Sequence, residues 1–243
     1  MTVFGENSLS GPKIAKVKVC GINSLEDLEL CVSCGADALG FLVHAEEREE
    51  APSRSGHRLD WKTAGRLIKA VPPFVASVLL VHVSTRDAIV KLCQRFGPRT
   101  IQIQADVLDQ DLVSLRQQCP NIGFVKTVHV YPESSLNEVI SETTKQLASG
   151  IIDAVNLDSK KSRASAQTGG TGLAHDWNIS ASVVRHFRST PIILAGGLTS
   201  ENVRRAVETV RPYAVDVMSG VEVERGRKSV DRVRSFFAAL SQT

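Results

Sequence analysis

Long apolar runs are missing from this sequence: nothing in it approaches the ~18–20 residues that a membrane span requires. The opening MTVFGENSLSGPK also has no apolar centre of the kind a secretory leader carries. No membrane partner is expected, and a cytoplasmic location is. Aromatic residues are few, at 5%. Charge of one sign is lacking too, with 29 Lys+Arg against 26 Asp+Glu. That removes the basic surplus that would argue for nucleic acid. Cysteine is sparse: five residues, an odd count far below the density of a disulfide scaffold, which points to reduced thiols. The six histidines show no HxxxH or HExxH spacing, and Cys31-x-x-Cys34 has no second pair at zinc spacing. Neither a metal nor a cofactor is expected. The CxxC falls at a helix end, whereas a redox pair belongs at a helix start, so core packing is its expected role.

What is present is a regular alternation. The 243 residues, 42% of them hydrophobic, can bury a large core without a staple. Short β-branched runs predict strands over 16–20, 37–43, 74–83, 99–104, 122–130, 153–158, 191–196 and 213–218. Amphipathic stretches between them predict helices over 24–34, 61–71, 85–96, 108–119, 134–149, 176–187, 200–210 and 229–240. Eight β–α units in series predict an α/β fold, a single (β/α)8 barrel over 14–243 behind a polar tail at 1–13. A doubly wound open sheet is the rival, but no GxGxxG follows the first strand. Besides the tail at 1–13, one segment fits no element, and the sixth loop carries a glycine run. Residues 44–57 form a charged second loop, and the TGGTG run at 168–172 gives the sixth loop glycines suited to closing over a site.

Barrel enzymes place their chemistry at the carboxyl ends of the strands, and strand alternation selects the side chains that face inward. Lys18 and Cys20, Gln102 and Gln104, Asn156 and Asp158, and Asp216 and Met218 are the inward positions of the first, fourth, sixth and eighth strands. A barrel interior is ordinarily filled with branched apolar residues, so a polar set at strand ends reads as a site. Cys20, ending the first strand beside Lys18, is a candidate base whose thiolate a neighbouring ammonium would favour. Asp158, ending the sixth, is a candidate proton donor; the plainer readings are a small buried hydrophobe and a salt-bridge partner of Lys160 or Lys161. A phosphate cradle is expected in loops seven and eight, from Gly196-Gly197 and Ser219-Gly220, with Thr199 or Ser200 capping the next helix. His175 either caps the sixth helix with Asp176 or lines its loop.

These blocks resemble one family. KVKVCGINSLEDLELCVSCGADALGF resembles the opening of phosphoribosylanthranilate isomerases, and NLDS, GGTGLAHDW, PIILAGGLTSENV and RPYAVDVMSGVE match later family blocks in the same order. The likeness spans nearly all of residues 16–240. It implies a cofactor-free Amadori rearrangement in tryptophan biosynthesis, with N-(5-phosphoribosyl)anthranilate going to 1-(2-carboxyphenylamino)-1-deoxyribulose 5-phosphate. By the same resemblance Cys20 is the general base and Asp158 the general acid, its pKa raised by burial. Arg58, ahead of Arg48 and Arg54, pairs with the anthranilate carboxylate. Lys18, Gly170, Gly172 and Asp216 are expected to line the substrate, a small phosphorylated molecule, in a monomer or homodimer.

The sequence departs from the family at three places. Gln102-Ile103-Gln104-Ala105 stands where the fourth strand usually reads QLHG, HVS at 82–84 replaces FVN, and Met218 replaces a serine. Two alternatives follow. One is the related histidine-pathway isomerase activity on another phosphoribosyl amine, although that family has an aspartate where this chain has Cys20. The other is a barrel that binds a phosphorylated ligand without turnover.

Overall fold

Among the described residues, five of the eight α-helices start at a short polar side chain that accepts a hydrogen bond from a first-turn N–H: Ser24, Asp60, Ser135, Asp176 and Ser229. At Ser135 the bond is reciprocal, Glu138 reaching back to the Ser135 N–H to complete a capping box. Apolar residues then repeat at helical spacing. Val203, Ala206, Val207 and Val210 form one buried stripe, as do Trp61, Ala64, Leu67 and Ile68.

The computed structural model describes residues 14–44, 57–160 and 175–241. The expected tail, most of the charged loop and the glycine run lie outside the described residues, and Arg48, Arg54, Gly170 and Gly172 with them.

Eight parallel strands line the barrel: β1 (Lys16–Cys20), β2 (Ala38–Val43), β3 (Ala76–Val81), β4 (Thr100–Ile103), β5 (Gly123–Val130), β6 (Ala154–Ser159), β7 (Ile192–Ala195) and β8 (Ala214–Val217). Each pairs with its sequence neighbours, and β1 pairs with both β2 (Lys18↔Ala38) and β8 (Lys18↔Asp216), which closes the ring. The outer helices are α1 (Leu25–Ser33), α2 (Trp61–Ala70), α3 (Arg86–Phe96), α4 (Asp109–Gln118), α5 (Leu136–Leu147), α6 (Trp177–His186), α7 (Val203–Val210) and α8 (Val230–Leu240). This is the expected (β/α)8 barrel.

The main core lies between strands and helices, where Val17, Val19, Leu39, Phe41, Leu79, Ile101, Phe124, Leu157, Leu194 and Val215 are fully buried. Burying each such side chain contributes roughly 1.5–3 kcal/mol. Cys31 belongs to that core and forms no disulfide, in keeping with a packing role for the CxxC.

Three differences from the sequence expectation have local causes. The third strand starts at Ala76 because Phe74 takes a positive φ of 71° in the turn after Pro72-Pro73. Helix α7 starts at Val203 rather than near 200. Asn202 stands at its N-cap, while its side chain accepts from the Thr199 N–H and donates to the Gly197 carbonyl, fixing the loop ahead of the helix. Finally, short pieces appear that periodicity could not find. A two-residue strand, Arg58–Leu59, pairs in parallel alongside the last residues of β2, and a small hairpin pairs Glu222–Glu224 with Arg227–Lys228 between β8 and α8.

Candidate active site

At the carboxyl end of the barrel the strand ends enclose a narrow pocket of about 60 Å³, within a cleft of about 560 Å³ counting its open mouth. Cys20, Gln102, Gln104, Asn156, Asp158, Asp216 and Met218 line it, seven of the eight positions that strand alternation turns inward. Gly196, Gly197, Ser219 and Gly220 line the same pocket from loops seven and eight. His82, at the end of β3, completes the wall.

The floor is a charged cluster. The Lys18 ammonium donates to both Asp216 oxygens at 2.9 and 2.8 Å, with both side chains buried. Burial alone would lower the Lys18 pKa, but Asp216 and Cys20 offset it and the net shift is upward, so this lysine stays charged. Its ammonium is spent on Asp216 and on the Cys20 thiol, and among the described residues Lys18 does not itself line the pocket. Room for the thiol comes from Gly40 on β2: a Cβ there would lie 2.8 Å from Cys20 Sγ and 3.1 Å from Lys18 Nζ. GADALGF thus carries a glycine that the packing requires.

The two candidate proton-transfer groups fare differently. Burial, helped by the nearby Asp216 charge, pushes the Asp158 carboxyl up to about 7, so a proton is available to donate near neutrality. For Cys20 the Lys18 ammonium favours the thiolate, as expected of that neighbour, yet the net shift is upward. Burial raises the thiol pKa, and the opposing charges of Lys18 and Lys228 do not offset it, with Asp216 adding to the rise. The resting thiol therefore keeps its proton above the Asp158 value.

The opposite wall is built from backbone. Gly196 and Gly197 have φ of +91° and +64°, and a Cβ on Gly196 would lie 2.2 Å from Ser159 Oγ. A Cβ on Gly220 would meet the Leu198 carbonyl oxygen at 1.9 Å, so loops seven and eight dock main chain to main chain. Ser219–Val221 form a single 3₁₀ turn there. Closely approached backbone of this kind can turn N–H groups toward an anion.

Other residues singled out in the sequence have partners that only the structure shows. His175 is buried between Ser159 Oγ (2.7 Å from Nδ1) and Ser180 Oγ (2.5 Å from Nε2), and burial holds its pKa down to about 4. It caps nothing: Asp176 is the N-cap of α6, accepting from the Asn178 N–H, and His175 ties the end of β6 to that helix. Arg58 is half-buried beside His82, whose pKa burial and the Arg58 charge hold down to about 4. The side-chain oxygens of Gln104 and Asn156 are buried with no hydrogen-bond partner among the described residues, and both residues face the pocket. Among the described residues no His/Cys/Asp/Glu cluster could hold a metal, and no helix is long and apolar enough to cross a membrane.

Comparison with known proteins agrees with this geometry. A family profile described as N-(5'phosphoribosyl)anthranilate (PRA) isomerase matches residues 17–239. An N-(5'-phosphoribosyl)anthranilate isomerase of Methanocella arvoryzae is 37% identical over 231 residues, covering 95% of this chain and all of that protein. The isomerase structure from Pyrococcus furiosus superposes with a TM-score of 0.74 at 28% identity, over 93% of this chain and 98% of that one. A further isomerase structure, solved with reduced 1-(o-carboxyphenylamino)-1-deoxyribulose 5-phosphate, gives 0.72 at 25% identity with the same coverage. With the profile spanning almost the whole barrel and the floor and loops built as described, the chain belongs to the N-(5'-phosphoribosyl)anthranilate isomerase family.

Proposed function

We propose that Cys20 and Asp158 carry the proton transfers of this family's reaction, and that the backbone of loops seven and eight holds the substrate phosphate. The protein is an isomerase of tryptophan biosynthesis, converting N-(5-phosphoribosyl)anthranilate into 1-(2-carboxyphenylamino)-1-deoxyribulose 5-phosphate. The observation that carries the residue assignment is a shared pocket: a raised carboxyl and a thiol stand on the floor, and glycine backbone on the facing wall.

The chemistry follows from those positions. Asp158 gives its proton to the ribose ring oxygen, and the C1–O bond breaks as the glycosylamine nitrogen supplies electrons to form an iminium. Cys20, as thiolate, takes the C2 proton; the C–H electrons form the enolamine double bond and neutralise the nitrogen. Tautomerisation gives the ketone, so the substrate's own nitrogen is the electron sink. Asp158 is left as a carboxylate, and Lys18, already charged, offsets the negative charge accumulating on the floor. Asp216 orients Lys18 from the pocket side. The buried Gln104 and Asn156 oxygens are placed to accept from the ribose hydroxyls.

Arg58 is assigned to the anthranilate carboxylate, supported by its position at the end of β2 beside the pocket residue His82. Gly170 and Gly172 are assigned to the closing sixth loop on the sequence alone. The assigned substrate is a small phosphorylated molecule, and five thiols without a disulfide support a cytoplasmic site of action.

The test is turnover by the purified protein, read as loss of anthranilate fluorescence from freshly generated substrate, against the histidine-pathway phosphoribosyl amine in parallel. Turnover of the first at least a hundredfold above the second is expected. Preference for the second, or binding with no turnover of either, would sink the assignment.

A further inference from the structure

Behind the pocket floor lies a second buried charged group that the mechanism leaves unused. The Lys228 side chain is 0% exposed and its ammonium donates to three oxygens: the Cys20 carbonyl at 2.6 Å, Glu222 Oε1 at 2.9 Å and, more weakly, the Met218 carbonyl at 3.4 Å. Glu222 in turn meets His57 Nε2 with both oxygens, at 3.0 and 3.1 Å. The chain His57–Glu222–Lys228 therefore runs from the start of the Arg58 segment, through the hairpin, to the main chain of the candidate base.

Such a group is costly to bury, and apolar side chains of the same volume would often stabilise a fold equally well. Its bonds explain its shape better than stability does. Cys20 ends β1, and Met218 follows β8. Gly21, next to Cys20, takes a φ of +75° and packs against both Met218 and His57. One ammonium thus ties together the two strand ends that frame the thiol, and its hydrogen bonds set where Cys20 stands. The charged groups acting on Cys20 are Lys18 on its own strand, Asp216 on β8 and Lys228 from the hairpin. Those facing Lys228 are Glu222 and Asp27, whose carboxylate accepts from the Lys228 main-chain N–H at 3.3 Å, with His57 beyond Glu222.

We propose that Lys228 is a positioning residue for the reaction, fixing Cys20 through its carbonyl and placing a second positive charge behind its thiol. The proposal rests on Cys20 being the base. Its test is chosen so that the two can fail separately.

In Lys228→Met, kcat should fall by roughly 10–100-fold, as expected when a charged hydrogen bond of about 1.5–3 kcal/mol is lost, while KM changes by less than about threefold. The pH midpoint for alkylation of Cys20 by iodoacetamide, followed at that residue by peptide mass, should move upward. Lys228→Arg should restore part of both. Since Lys228→Met leaves Glu222 buried with an unbalanced charge, Lys228→Met with Glu222→Gln is measured beside it and should show the same two changes. A loss of kcat with an unmoved thiol midpoint overturns the proposal, and so does a moved midpoint with kcat intact. If the double variant also fails to fold, Lys228 is a folding residue and the proposal falls. Full turnover by Cys20→Ala would instead remove the base assignment, whatever Lys228 does to the thiol.

Discussion

At the residue scale the floor of the pocket holds a carboxyl near 7 and a thiol above its ordinary value, which is the reverse of the order usual for an acid and a base. The reactive form needs Asp158 protonated and Cys20 ionised. Below about 7 the carboxyl is protonated throughout, and the rate climbs as the thiolate fraction grows with pH. Between the two pKa values the carboxylic acid falls as fast as the thiolate rises, so the product of the two is constant. The expected kcat/KM profile is therefore a rise that breaks to a plateau near pH 7 and falls again only once the thiol is ionised. The check is to titrate kcat/KM across that range: a maximum that falls from pH 7 upward would reverse the assigned order. Positions on the floor were readable from alternation alone, because Val17, Val19, Val155 and Leu157 point to the helix layer and leave Lys18, Cys20, Asn156 and Asp158 inside. The direction of the Cys20 shift was not readable, because it depends on desolvation and on Asp216 as well as on the adjacent lysine.

At the scale of elements, the strands and helices were legible within a few residues, because β-branched runs and caps such as Ser24 and Ser135 are written locally. The missed pieces depend on distant partners. Arg58–Leu59 becomes a strand only because β2 offers an edge, and the Glu222–Lys228 hairpin reads in sequence as a charged turn. Asn202, rather than Thr199 or Ser200, stands at the N-cap of α7, and its side chain makes no cap bond but ties the loop to the Gly197 carbonyl and the Thr199 N–H. Loops seven and eight behave as one element, since the Leu198 carbonyl sits where a Gly220 Cβ would be. Gly220→Ala must separate them and move the proposed phosphate backbone. KM is expected to rise roughly 10–100-fold, the equivalent of about 1.5–3 kcal/mol of charged hydrogen bonding, with kcat less affected. Steady-state kinetics decide this: an unchanged KM would remove the phosphate from this wall.

On the scale of the whole molecule, the closed ring of β1 against β2 and β8 buries the site within the barrel, and the site costs the fold stability. Asp158 has a folded pKa of about 7 against about 3.9 unfolded. Between these values the folded state holds a proton that the unfolded state has released. The stabilising contribution is complete below about 4 and is lost as pH rises through 7. Asp158→Asn, neutral and of similar size, should therefore raise the urea midpoint at pH 8 and leave it nearly unchanged at pH 4. Equal midpoints for the two proteins at pH 8 would mean that the carboxyl is not held out of water as described. Gain of stability with loss of function in one substitution is the expected mark of a catalytic group.

The most direct single measurement is turnover of freshly generated phosphoribosylanthranilate by the intact protein, Cys20→Ala and Asp158→Asn side by side, each first checked for a folded far-UV spectrum. The intact protein should consume the substrate, and each variant should lose on the order of 10²–10⁴-fold in kcat. A folded Cys20→Ala or Asp158→Asn that turns over at the intact rate would contradict the proton-transfer pair.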